Sequence, residues 1–122
     1  MKIQGGCHCG ATRFELAHAP ARVTYCTCTN CSKRGALWAY YRPAEVRVIN
    51  EYAGGIYRWN GGIIGFHFCL HCGCSTHFLS PGWTEEGEAV RDDPRVAINA
   101  RLIDDFDPGA IPVHVIDGRN LW

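Results

Sequence analysis

The eight cysteines of this 122-residue chain fall into three clusters, with none outside them: Cys7-His8-Cys9, Cys26-Thr27-Cys28-Thr29-Asn30-Cys31 and Cys69-Leu70-His71-Cys72-Gly73-Cys74. In an extended segment residues i and i+2 point to one face, so Cys7 and Cys9 can offer two sulfurs to one ion. A C-x-x-C turn does the same for Cys69 and Cys72, and Gly73 after the second cysteine permits a tight backbone turn. A closed structural zinc site needs four protein ligands in a tetrahedron, and two such pairs complete it. Cys7, Cys9, Cys69 and Cys72 are therefore expected to enclose a structural zinc whose loss unfolds the protein.

The middle cluster has a different chemistry. Cys26, Cys28 and Cys31 overlap a C-x-C and a C-x-x-C, so three sulfurs can cap one face of a metal and leave a vertex open, the arrangement of catalytic zinc. Three thiolates on a divalent ion leave a net charge of about −1, which activates bound water less than a neutral histidine set does. Such a centre suits an incoming thiol held as a thiolate, the nucleophilic form of sulfur. The implied reaction is sulfur attack on an electrophile.

The neighbouring residues carry alternatives. Lys33 and Arg34 could meet a substrate carboxylate, set against the plainer reading of solvated surface charges. Cys74 reads as a small buried thiol, as a fourth ligand closing the second site, or as a redox partner of Cys72. His8 and His71, between paired cysteines, are expected to point away from the metal. His67 and His77 flank the third cluster and could reach a site or bond a ligand sulfur, although an ordinary hydrogen-bonded histidine is the default. Trp38, Tyr40 and Tyr41 read as core and strand residues.

The elements that must position these groups are short strands. No run of residues keeps a helical apolar period over three turns, and glycine, proline, asparagine and aspartate interrupt the chain every eight to twelve residues or so. Strands are predicted over 12–16, 45–49, 56–59, 63–68, 96–102 and 113–116, with a turn at Asn50 and a hairpin at Asn60-Gly61-Gly62. The fold class is mostly β, in one domain over residues 1–122. Hydrophobic residues make up 47% and charged residues 20%, which fits a globular protein and not a disordered or membrane-spanning one. Twelve basic residues balance twelve acidic ones, so no bulk field favours nucleic acid or anionic lipid. No secretory signal opens the chain and no long apolar stretch could span a membrane, so a cytoplasmic location is expected. In that reducing setting the cysteines read as metal ligands and not as disulfides.

Order and spacing together give a family resemblance. Gly6-Cys7-His8-Cys9-Gly10, the middle cluster from Cys26 to Cys31, and Phe68-Cys69-Leu70-His71-Cys72-Gly73 resemble the three signatures of the glutathione-dependent formaldehyde-activating enzymes and the related centromere protein V-like proteins. Val96-Ala97-Ile98-Asn99, Leu102-Ile103-Asp104 and Pro112-Val113-His114-Val115 are similar to weaker family elements. The resemblance implies a tent of twisted antiparallel sheets stapled by zinc, with two zinc ions per chain. It implies Cys26, Cys28 and Cys31 at the catalytic zinc and Cys7, Cys9, Cys69 and Cys72 at the structural one. The implied activity joins a small thiol, glutathione or similar, to formaldehyde or another small aldehyde, and is a carbon–sulfur lyase reaction when written in reverse. The centromere-associated relatives supply the alternative of a non-catalytic zinc module that binds a protein or nucleic acid, and the balanced charge weighs against nucleic acid.

Overall fold

The alternation read at 12–16 becomes strand β2 (Arg13–Leu16), in which Phe14 and Leu16 are buried and Arg13 and Glu15 are half-buried. β2 lies between β1 (Ile3–Gly6) and β5 (Val46–Ile49) in an antiparallel three-stranded sheet. These relations come from a computed structural model that describes residues 3–49, 54–59, 61–84, 86 and 88–121.

The second sheet has seven strands. They are β3 (Val23–Cys26), β4 (Trp38–Tyr41), β6 (Gly54–Arg58), β7 (Gly65–Cys69), β8 (Ser75–Trp83), β9 (Ala89–Asn99) and β10 (Val113–Ile116), ordered β10-β3-β4-β9-β8-β7-β6. All of its pairings are antiparallel except that of β10 with β3, which is parallel. Two short helices complete the fold, α1 (Thr29–Arg34) and α2 (Gly118–Leu121). Among the described residues no helix is long and apolar enough to cross a membrane.

Because side chains alternate along a strand, β4 and β9 serve two cores at once. Ala39, Tyr41, Val96 and Ile98 pack with Phe14 and Leu16 of the small sheet, together with Val23, Leu37, Ala100 and Ile103. Trp38 and Ala97 belong instead to a cluster with Phe66, Phe78, Ala36 and the three middle cysteines. Each fully buried Leu or Phe contributes roughly 1.5–3 kcal/mol through removal from water, so the first core joins the sheets and the second surrounds the thiols. Gly5 is required where β1 meets the chain after β9. A Cβ there would sit 2.3 Å from the Leu102 carbonyl oxygen and 2.6 Å from the Phe14 ring.

Several boundaries differ from the sequence expectation for local reasons. The strand predicted over 96–102 stops at Asn99, and Ala100–Leu102 is a 3-10 turn capped by the Asn99 side chain, which accepts from the Arg101 N–H. Pro43–Glu45 forms another such turn, so β5 begins at Val46 and not at Glu45. Gly61 and Gly62 adopt the positive φ values, 87° and 73°, that the hairpin signal requires. Asn50 and Asn60 lie outside the described residues. Strands β3 and β8 were not expected. In β8, Pro81 falls at an irregularity where the step from Ser80 to Gly82 faces the longer step from Arg95 to Val90.

Candidate metal centres

The first group of thiols joins the two sheets. Cys7 and Cys9 follow β1 of the small sheet, whereas Cys69 ends β7 of the large sheet and Cys72 lies in the turn that leads to β8. Their four sulfurs all lie within 4.8 Å of one another. The Cys7–Cys9 and Cys9–Cys69 separations are both 3.6 Å. A tetrahedron with Zn–S bonds of about 2.3 Å has edges of about 3.8 Å, whereas a disulfide needs about 2.05 Å. The spacing fits four thiolates around one ion.

Backbone turns create that spacing. Residues 7–10 are not extended as the C-x-C argument supposed. They form a turn in which the Gly10 N–H donates to the Cys7 carbonyl at 3.1 Å, with Gly10 at φ 81°. The Cys69 turn matches the expectation, since the Gly73 N–H donates to the Cys69 carbonyl at 2.9 Å and Gly73 sits at φ 80°. Backbone N–H groups also reach the sulfurs directly, from Thr12 to Cys7 at 3.3 Å and from His71 to Cys69 at 3.4 Å. Cys72 is drawn down to about 5 by N–H groups of Cys74 and Cys9. Donors of this kind favour the thiolate, the form that binds metal.

The second group is held by α1. Cys26 ends β3, Cys28 is the N-cap of the helix and accepts the Cys31 N–H at 3.3 Å, and Cys31 lies within it. The three sulfurs are mutually within 4.8 Å, and their residues are only 2–6% exposed. Trp38 donates its indole N–H to the Cys31 sulfur at 3.4 Å. Its ring meets Phe78 edge-on at 4.7 Å and packs near Phe66 at 6.2 Å. Hydrogen bonding from the Cys31 thiol, helped by the Cys28 and Gly118 N–H groups, holds Cys26 down to about 6, while Cys31 is pushed far up by the same contact.

A groove of about 530 Å³ adjoins this centre, lined by Thr29, Asn30, Lys33, Arg34, Tyr57 and Trp59. Trp59 also packs against the cluster that holds the three thiols. A slightly larger cavity, about 570 Å³, is lined by residues such as Ile3, Ile103, Asp104 and Phe106 and contains no cysteine. Lys33 is exposed on the groove wall. Arg34 is engaged within the protein: it donates to Asn30 Oδ1 at 2.7 Å and to Ser75 Oγ at 3.2 Å, and lies 5.2 Å over the Tyr57 ring.

The remaining candidates separate cleanly. Cys74 is half-buried beside Cys72 and belongs to neither ligand group, and burial raises its pKa first of all. It is not a fourth ligand of the Cys26 centre. His8 and His71 are exposed. His67 and His77 stack on each other with ring centroids 4.3 Å apart, and neither joins a ligand group among the described residues. Tyr41 is a core residue, as read from sequence, but Trp38 is more than that because of its bond to Cys31. Nothing in the sequence marks Trp38 for this role, since only the pairing of β3 with β4 at Thr24 and Trp38 brings it beside the cluster.

Known proteins share this arrangement of chain. A crystal structure of a Rhodobacter sphaeroides protein superposes with a TM-score of 0.68 at 25% identity, covering 90% of this chain and 98% of that one. Residues 2–108, which include all three cysteine clusters, match the family model described as glutathione-dependent formaldehyde-activating enzyme. With two thiol groups that could each hold a metal ion on a mostly β fold, the chain belongs to the glutathione-dependent formaldehyde-activating enzyme family.

Proposed function

We propose that the chain is a zinc-dependent enzyme that adds a small thiol, glutathione or a similar one, to formaldehyde or another small aldehyde. The observation that carries this reading is the contrast between the two thiol groups. Four sulfurs gather at the Cys7 centre, enough for a closed tetrahedral site, while three gather at the Cys26 centre beside a groove. A zinc ion in the second centre supplies the positive charge that keeps an incoming thiol deprotonated and nucleophilic.

The residues around it would do the rest. Trp38 stabilises negative charge on the Cys31 sulfur, and Phe66, Phe78 and Trp59 limit water around the trio. Electrostatic interactions strengthen in such a low-dielectric setting. Lys33 supplies a cation for a carboxylate on the thiol's far end, and Arg34 contributes charge to the same wall while holding Asn30 in place. Formation of the carbon–sulfur bond converts the thiol and aldehyde into a hemithioacetal, and the reverse reaction is the lyase direction.

Exchange NMR spectroscopy of glutathione and formaldehyde, with and without the protein, tests the reading. Acceleration over the uncatalysed reaction is expected, with loss of the effect in Cys28→Ser. An unchanged exchange rate with the zinc-loaded wild type would remove this pair of substrates.

A further inference from the structure

The side-chain amide of Asn30 is half satisfied in a way that points to a ligand. Its Oδ1 accepts from Arg34 Nε at 2.7 Å. The arginine is a pure donor, so this contact fixes which end of the amide is oxygen and leaves the NH2 on the other edge. That Nδ2 is the one buried side-chain nitrogen or oxygen among the described residues without a hydrogen-bond partner. A buried donor left unpaired costs about 1–3 kcal/mol, and native structures leave few of them. Asn30 stands between Cys28 and Cys31 on α1 and lines the groove beside the thiol trio. The holding residue is itself held, since Arg34 also bonds Ser75 on β8 and stacks on Tyr57. The donor is therefore fixed in orientation before any ligand arrives.

Resting on the thiol–aldehyde reading of this centre, we propose that Asn30 Nδ2 donates a hydrogen bond to the aldehyde oxygen as negative charge develops on it. In that step a sulfur lone pair forms the new C–S bond while the C=O π pair moves onto oxygen. The resulting alkoxide takes one proton from water, and the proton that the thiol gave up on ionising restores the balance, so thiol plus aldehyde gives hemithioacetal. A preorganised donor aimed at developing oxyanion charge is worth about 10²–10³-fold in turnover in other enzymes. Asn30 would thus be a catalytic residue, distinct from the metal ligands on either side of it.

Asn30→Asp tests this, because it keeps an oxygen for Arg34 and replaces the donor with an acceptor; Asn30→Ala removes the donor without adding charge. Zinc content and thermal unfolding of both variants are measured beside exchange kinetics with glutathione and formaldehyde. Expected are two bound zinc ions, a folded protein, kcat lower by about 10²–10³-fold, and KM for glutathione within about threefold of wild type. A second readout needs no turnover. In ¹⁵N-labelled wild type, the Asn30 side-chain NH2 resonance should move when glutathione and formaldehyde are added together, and not with glutathione alone. If wild type accelerates exchange but both variants keep its kcat, or the NH2 resonance stays still, the role of Asn30 is overturned and the reading of the centre stands. If zinc-loaded wild type gives no acceleration, that reading fails and the role of Asn30 falls with it.

Discussion

Trp38→Phe separates the metal centres most sharply. Trp38 is 1% exposed, and its indole N–H is the side-chain donor to the Cys31 sulfur, at 3.4 Å. A hydrogen bond to a charged acceptor is worth about 1.5–3 kcal/mol, which corresponds to about 10–150-fold in an equilibrium constant at 1.4 kcal/mol per decade. Phenylalanine keeps an aromatic ring against Phe66 and Phe78 but cannot donate. The smaller ring also leaves space, which lowers fold stability and touches both centres alike. The Cys7 centre has its own backbone donors and serves as the internal control. Chelator competition on the two-zinc protein should show one ion released at wild-type chelator concentration and the other about 10–150-fold more readily. Release of both ions within about threefold of their wild-type midpoints would refute the role given to the indole, whatever happens to the melting temperature.

Three further outcomes follow from the geometry. Cys7→Ser should abolish cooperative folding, because a structural zinc contributes about 10–16 kcal/mol in small zinc-dependent folds against a typical domain stability of about 5–15 kcal/mol; a Cys7→Ser protein with wild-type circular dichroism and melting would contradict it. Gly5→Ala should lower stability by about 1–3 kcal/mol in urea unfolding, since its Cβ would meet the Leu102 carbonyl and the Phe14 ring, and an unchanged midpoint would show that the sheets shift freely there. Burial holds His77 down to about 4 from 6.5, so the unfolded chain binds its proton first as pH falls. Stability should therefore decline from about pH 6.5 to about pH 4, by about 3 kcal/mol at most, and His77→Gln should flatten that part of the profile. A variant with the same slope in that window would assign the decline to other groups.

The two thiol groups were legible in the sequence because clustering of this kind is written in residue type and local spacing, and turns at Gly10 and Gly73 only had to gather sulfurs already paired along the chain. Strands with alternating sequence, such as β2 and β5, were legible for the same reason. β8 and the first half of β9 were not, since Pro81, Gly82 and the run Arg91-Asp92-Asp93-Pro94 read locally as turns. Tertiary pairing across an irregular register overrides that local signal. Arg34 was read as a cation for a substrate carboxylate or as a solvated surface charge; its bond to Asn30 is local to α1, but its tie to Ser75 depends on α1 lying against β8, a contact between residues far apart in the chain. The same holds for Trp38 and Cys31: their bond exists only once β4 lies beside β3.

Zinc stoichiometry of carefully reduced protein tests the central claim most directly, measured for wild type, Cys28→Ser and Cys7→Ser by elemental analysis alongside circular dichroism. Two ions per chain are expected in the wild type, and one in Cys28→Ser with the fold kept, because the Cys7 centre retains all four sulfurs. Wild-type protein that binds no zinc, or Cys28→Ser that still binds two ions, would contradict the assignment of two independent centres.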